Sequence, residues 1–324
     1  MRAFRPLLLL LSVLAAPAAA QEPVVLKVGI TDRVNTVLPL WMAEAGGFYA
    51  AQGLRVEIAP MGGGGPGVQA LQAGRLDIMR VGLSSVVQAN RAGGDLRTIA
   101  SMSNVIRFTF FTAPGVTNAA TLKGGTIGIS TFGSETDTVA TLVLRRFGLS
   151  RNDVTLKEYR TALGRLEALR SGEIRATVLN EPVASLARDQ GVHALVDLAA
   201  EQVPWLFSSV VVRRADIAGR RDVLTRFLKA AIEGNYLAFT NAQLAKEVVA
   251  RELRLTDAKI VDVSYDDFRR QSPLDMELSR PAAENVIAEV PGAGRPDDHL
   301  DFGILDELRR QGFFTALRQK YAIR

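Results

Sequence analysis

Ala70-Leu71-Gln72-Ala73-Gly74-Arg75-Leu76-Asp77-Ile78 is echoed by Ala168-Leu169-Arg170-Ser171-Gly172-Glu173-Ile174-Arg175-Ala176. Each stretch reads as an amphipathic helix that stops at a glycine and feeds straight into a buried strand. Gly74 and Gly172 fall where a helix C-terminus takes a left-handed residue, a conformation that glycine adopts without steric cost. The same α/β unit written twice predicts two similar lobes, and two similar lobes predict a cleft between them.

Around the first copy, Val24 to Ile30 is an apolar strand, Leu38 to Ala50 has helical spacing, and Leu54-Arg55-Val56-Glu57-Ile58 alternates as a second strand. Leu76 to Val81 and Leu96 to Met102 complete four strands, with helices Val68 to Ala73 and Ser84 to Ala92 between them. Around the second copy, Thr126 to Ile129, Val154 to Tyr159, Ala176 to Leu179 and Leu195 to Leu198 are strands. Helices Asp137 to Phe147, Leu163 to Arg170 and Val183 to Asp189 alternate with them. Such alternation gives a mostly parallel sheet flanked by helices. Arg107 to Thr112 and Trp205 to Val212 read as two strands crossing between the lobes, and everything after Arg221 is helical in pattern. The expected organisation is therefore α/β and two-lobed. Residues 21–112 and 208–324 form a discontinuous first lobe, and residues 113–207 form the second.

Residues 1–20 stand apart. Arg2 and Arg5, the apolar run Leu7 to Ala16, and Ala18-Ala19-Ala20 before Gln21 compose a secretory signal peptide with a small-residue cleavage site. Its apolar run is short for a bilayer span, and no later run reaches that length. The expected product is a soluble periplasmic protein. The chain has no cysteine, so disulfides and a lipid-modified cysteine are both excluded. A formal charge of +5 falls to 5 − 2 = +3 once Arg2 and Arg5 leave. The basic residues are scattered, with no stripe or motif for nucleic acid.

In parallel α/β sheets ligands bind beyond the carboxyl ends of the strands. Helix N-termini there carry free N–H groups and partial positive charge that suit anions. The strongest candidate is Ser130-Thr131-Phe132-Gly133-Ser134-Glu135-Thr136, at a strand-to-helix junction. Simple capping accounts for one of its hydroxyls, not four. Arg33, Asn35 and Thr36 follow the first strand, where Arg33 suits an anion; a solvated loop fits these residues equally. Ser84 and Ser85 follow the third strand, and Asn180-Glu181-Pro182 sits at another strand end. Trp205 and Phe207 suit either ligand stacking or the core. The run Gly62-Gly63-Gly64-Gly65-Pro66-Gly67 fits G-x-G-x-x-G literally. Pro66 lies inside it, however, and no acidic residue ends the next strand, so it reads as a close-approach loop at the cleft or a plain turn. His193 and His299 belong to no triad or metal spacing and read as surface residues. No catalytic residue, metal or cofactor is expected.

Several motifs in order carry a resemblance. They are Ala43-Glu44-Ala45-Gly46-Gly47-Phe48-Tyr49-Ala50-Ala51-Gln52-Gly53-Leu54, Ala70 to Asp77, Leu122-Lys123-Gly124-Gly125-Thr126-Ile127-Gly128, Phe147-Gly148-Leu149-Ser150, and Leu169 to Ala176 with Glu181-Pro182. The chain resembles the periplasmic substrate-binding proteins of ABC importers, in the family that binds taurine, alkanesulfonates, nitrate and thiamine-pyrimidine precursors. The resemblance implies the two-lobed type II periplasmic binding protein fold, a small-molecule ligand in the cleft, and a transient inner-membrane permease partner for a monomer. It places the pocket at Arg33 to Thr36, at Ser84 and Ser85, and at Ser130 to Ser134, to which the reading of the residues adds Gly63, Asn180, Glu181 and Trp205. A cysteine-rich motif of the pyrimidine-synthase relatives is missing. A ligand sensor for a signalling system and an enzyme on the same scaffold are the alternatives.

Overall fold

The computed structural model describes residues 22–323, so the signal peptide expected at 1–20 lies outside the described residues. The first sheet contains β1 (Val24–Ile30), β2 (Leu54–Pro60), β3 (Ile78–Val81), β4 (Leu96–Val105) and β10 (Pro204–Arg213), in the order β2-β1-β3-β10-β4. The second contains β5 (Thr109–Thr112), β6 (Thr126–Ile129), β7 (Thr155–Glu158), β8 (Ala176–Leu179) and β9 (His193–Asp197), in the order β7-β6-β8-β5-β9. In each sheet the strand that has just crossed from the other lobe is the antiparallel member: β10 in the first, β5 in the second. The remaining pairs in both sheets are parallel.

The repeated sequence explains this symmetry. Helix Gly64–Gln72 turns at Gly74, whose φ of 70° is left-handed, and enters β3. Helix Ala162–Arg170 turns at Gly172, φ 77°, and enters β8. β3 and β8 hold the central place in their sheets, and every residue of both is buried.

The crossings lie a few residues earlier than expected. Thr109–Thr112, assigned above to the first lobe, pairs with β8 and β9 of the second sheet. Residues 204–207, assigned above to the second lobe, begin β10 of the first sheet. The chain therefore crosses at 106–108 and 202–203. A strand looks the same on either side of a boundary, and only its distant partners decide its sheet.

Two local features also differ from expectation. Helix 38–50 breaks at Gly47, φ 70°, into Leu38–Ala45 and Phe48–Ala51. The glycine run is not all loop, because the helix begins at Gly64. Its glycines allow tight packing: a Cβ on Gly67 would sit 2.1 Å from the Met79 methyl carbon.

The helical tail packs on the first lobe. Gly234, in helix Arg221–Thr240, lies so close to helix Leu38–Ala45 that a Cβ would come within 2.5 Å of the Pro39 carbonyl oxygen. Further on, the tail covers the outer edge of β4. Thr98 N–H donates to the His299 carbonyl at 2.8 Å, and Ser101 N–H donates to the Met276 carbonyl at 2.8 Å. A covered edge cannot recruit foreign strands. His299 is thus no surface residue: it is 3 % exposed, with Nε2 2.6 Å from the Ala293 carbonyl and Nδ1 2.9 Å from the Asn90 amide. His193 is exposed. Among the described residues no helix is long and apolar enough to cross a membrane.

Candidate functional site: a shut cleft with two buried arginines

The carboxyl ends of β1 and β3 in one lobe face those of β6, β7 and β8 in the other. Asp32, Arg80, Ser130, Arg160 and Asn180, at or just past these ends, line the space between the lobes. The space has a volume of about 550 Å³ and is partly open to solvent. Hydrogen bonds across it hold the lobes shut. Ala162 N–H donates to Asp32 Oδ2 across the cleft at 3.1 Å, and Gly65 N–H donates to Thr131 Oγ1 at 3.3 Å. Gly63 has φ 121°, and a Cβ there would lie 2.8 Å from Thr131 Cγ2, so only glycine lets the lobes meet at this point.

Two buried guanidinium groups line the cleft, beside the exposed Arg160. Arg80, 4 % exposed, donates from Nε to Ser208 Oγ at 2.7 Å, from one Nη to Thr31 Oγ1 at 2.8 Å, and from the other to Thr36 Oγ1. Arg165, 3 % exposed, donates to the Tyr159 carbonyl at 3.1 Å, and its Nε has no partner. Neither forms an ion pair with a carboxylate among the described residues. Burial lowers Arg80 from 12.5 to about 9, helped by the like charge of Arg107 and only partly offset by Asp32 and Glu135. Burial lowers Arg165 to about 10. A buried cation without a counter-ion is costly, and a bound anion would relieve that cost.

Glu135 is the buried carboxyl of the cleft. It opens helix Glu135–Arg146 of the second lobe and reaches into the first, where Oε1 accepts from Ser84 N–H and Oε2 from the Trp205 indole, both at 2.7 Å. Burial pushes it up to about 7, against the opposing effect of these hydrogen bonds and of Arg80. Phe108 and Phe207, packed edge to face at 4.8 Å, supply an apolar wall.

Of the residues singled out from sequence, Gly63, Ser85, Ser130, Ser134 and Asn180 line the cleft. Ser130 and Ser134 do so as part of a closed hydroxyl triangle with Thr136, with edges of 2.8–3.0 Å. Thr131 and Gly133 shape the same loop. Gly133, φ 72°, donates its N–H to Asp137. Phe132 points away and is 55 % exposed. The other candidates have partners elsewhere. Arg33 pairs with Glu252 at 3.1 Å. Asn35 is in the core, bonded to the Ser264 carbonyl and to Asp267. Thr36 lies behind Arg80, and Ser84 presents its backbone to Glu135. Glu181 faces the back of the hinge, where it pairs with Arg188 at 2.9 Å. Trp205 holds Glu135 and is fully covered. The second-lobe helix start also differs from expectation. Its first turn already carries Glu135 and Asp137, which oppose an incoming anion.

Sequence reasoning missed Arg80 and Arg165. A signal existed for the first: Ile78-Met79-Arg80-Val81 sets one charge inside an apolar strand, which a solvated face does not explain. Arg165 shares a helix face with the buried Ala162, Ala168 and Leu169, a weaker sign in so short a helix.

Two α/β lobes shut on a cleft lined by two buried arginines without direct ion pairs define a ligand-binding protein of the periplasmic binding protein fold. The chain belongs to the NMT1/THI5-like family, whose model matches residues 35–245. It is 26 % identical over 321 residues to the riboflavin-binding protein RibY of Chloroflexus aurantiacus, covering 93 % of this chain and 86 % of the relative. The alkanesulfonate-binding protein SsuA from Xanthomonas axonopodis, solved with MOPS bound, superposes with a TM-score of 0.73 at 17 % identity, over 87 % of this chain and 99 % of that one. The periplasmic nitrate-binding protein NrtA of Synechocystis gives 0.70 at 13 % identity, over 90 % and 89 %.

Proposed function

We propose that this chain is a periplasmic solute-binding receptor that delivers a small organic anion to an ABC importer by hinge closure. The observation that carries the reading is the pair of buried, unpaired guanidiniums of Arg80 and Arg165 in the interlobe cleft. A sulfonate or carboxylate would accept their spare N–H donors, while Phe108 and Phe207 cover the apolar body. A ligand that touches both lobes favours the shut state by its differential affinity. The membrane permease docks that shut form, and the receptor acts as a monomer. An enzymatic role has less support, because the hydroxyl triangle of Ser130, Ser134 and Thr136 has no histidine base among the residues lining the cleft.

The test is thermal unfolding of the purified protein against a panel of sulfonates, carboxylates, nitrate and flavins. An anion present at 100 times its dissociation constant adds about 2.7 kcal/mol. Stabilisation by neutral compounds alone would overturn the anion reading, and no response across the panel would overturn the receptor reading.

A further inference from the structure

Glu135 is a lobe-2 side chain whose hydrogen-bond partners across the cleft both belong to lobe 1. Ser84 N–H lies in the first turn of helix Leu83–Arg91, and the Trp205 indole lies on β10. The fit is close: a Cβ on Gly82 would come within 2.2 Å of the Glu135 carboxyl, so only glycine at that position admits it. Opening the hinge would break both bonds and return the carboxyl to water.

We propose that Glu135 is an interlobe latch, docking on Ser84 and Trp205 only as the lobes shut, so that closure is coupled to the proton on this one side chain. The proposal rests on the hinge-closure reading above and goes beyond it, since it needs no ligand. The charged groups around the carboxyl are few. Arg80 faces it from β3, while Asp32, after β1, and Arg160 and Arg165 of the second lobe line the same cleft. Helix Leu83–Arg91 and β10 present Ser84, Ser85, Trp205 and Phe207, none of which titrates in this range.

The sign of the coupling follows from burial. Desolvation favours the neutral acid, so the shut form holds the proton up to about pH 7, whereas an exposed glutamate releases it near 4.5. Closure therefore takes up a proton, and acid favours the shut state. Between about pH 8 and about pH 5.5 the shut-to-open ratio rises about 25-fold. The neutral carboxyl also does not repel an anion in the cleft.

The chain has no cysteine, so labels can be placed at will. Spin labels on Gln69→Cys and Glu167→Cys, exposed helix positions in opposite lobes, report the interlobe distance in the ligand-free protein by pulsed electron resonance. The expected result is a short and a long population, the short one growing about 25-fold relative to the long one on acidification. In Glu135→Gln the ratio should move by less than about twofold, because the amide takes up no proton in this range. Trp205→Phe, which keeps the acid but removes one bond, should retain the pH response with fewer shut molecules. Two populations whose ratio ignores pH, or follows pH equally in Glu135→Gln, would overturn the latch and leave hinge closure standing. A single distance at every pH, unchanged by any ligand, would overturn both.

Discussion

Replacing Arg80 with methionine separates binding from stability, because binding should fall steeply while stability changes little. Arg80 is 4 % exposed, has no ion pair, and is lowered from 12.5 to about 9 by burial. Holding its charge in the ligand-free protein therefore costs about 5 kcal/mol, taking 1.36 kcal/mol per pKa unit. Its bonds to Ser208, Thr31 and Thr36 return about 1 kcal/mol each. Methionine keeps the apolar stem and removes both, but it leaves the hydroxyls of Ser208, Thr31 and Thr36 without their donor at about 1 kcal/mol or more each, so ligand-free Arg80→Met should stay within about 2 kcal/mol of the parent in urea unfolding. The same change deletes a buried partner of the anion, a loss of about 2–5 kcal/mol in binding, or about 30- to several-thousand-fold in Kd. Calorimetric titration with the best anion from the panel reads the second quantity. A variant that is destabilised by several kcal/mol yet binds as before would show that Arg80 is a structural strut, and the reasoning would fail.

Gly82→Ala should hold the lobes apart. The backbone at Gly82 is ordinary, with φ −81°, so the added methyl clashes with Glu135 rather than straining its own turn. Small-angle scattering should show a larger radius of gyration, with anion affinity at least about tenfold weaker, or about 1.4 kcal/mol. Arg33→Ala should leave affinity within about twofold and stability within about 1 kcal/mol, since Arg33 spends its charge on an exposed pair with Glu252; a large loss of affinity in titration would return Arg33 to the site. Anion affinity should fall as pH rises through about 9, because Arg80 is lowered to that value and only its protonated form pairs with the anion. A bound anion holds that proton more tightly and so delays the fall in the complex; titrations at about pH 7.5 and about pH 10 check it.

The architecture was readable because its signals are local. A helix stop at Gly74 or Gly172 and the apolar run behind it lie within ten residues of each other, and the two copies fall at equivalent places in the two sheets. The lobe boundary was less readable, because Thr109–Thr112 is assigned by pairing with Leu179 and Asp197, far along the chain. The site suffered the same limit. Asn35 has the chemistry of a ligand contact, but Asp267, 232 residues later, takes its amide. Trp205 has the look of a stacking face, but its indole is committed to Glu135. Hydroxyls of Ser130 and Ser134 do reach the cleft, though they satisfy one another. What sequence shows poorly is which polar groups remain unsatisfied after folding. Arg165 is the plain case, because only the packed lobes reveal that its Nε has no partner.

The claim beneath all of this is that the lobes close on an anion gripped by Arg80 and Arg165. A crystal structure of the protein with the most stabilising compound from the panel tests it most directly. The account requires anionic oxygens within about 3 Å of both guanidiniums, inside the shut cleft. A ligand seated elsewhere, or one lying in the cleft with neither arginine touching it, would contradict the account.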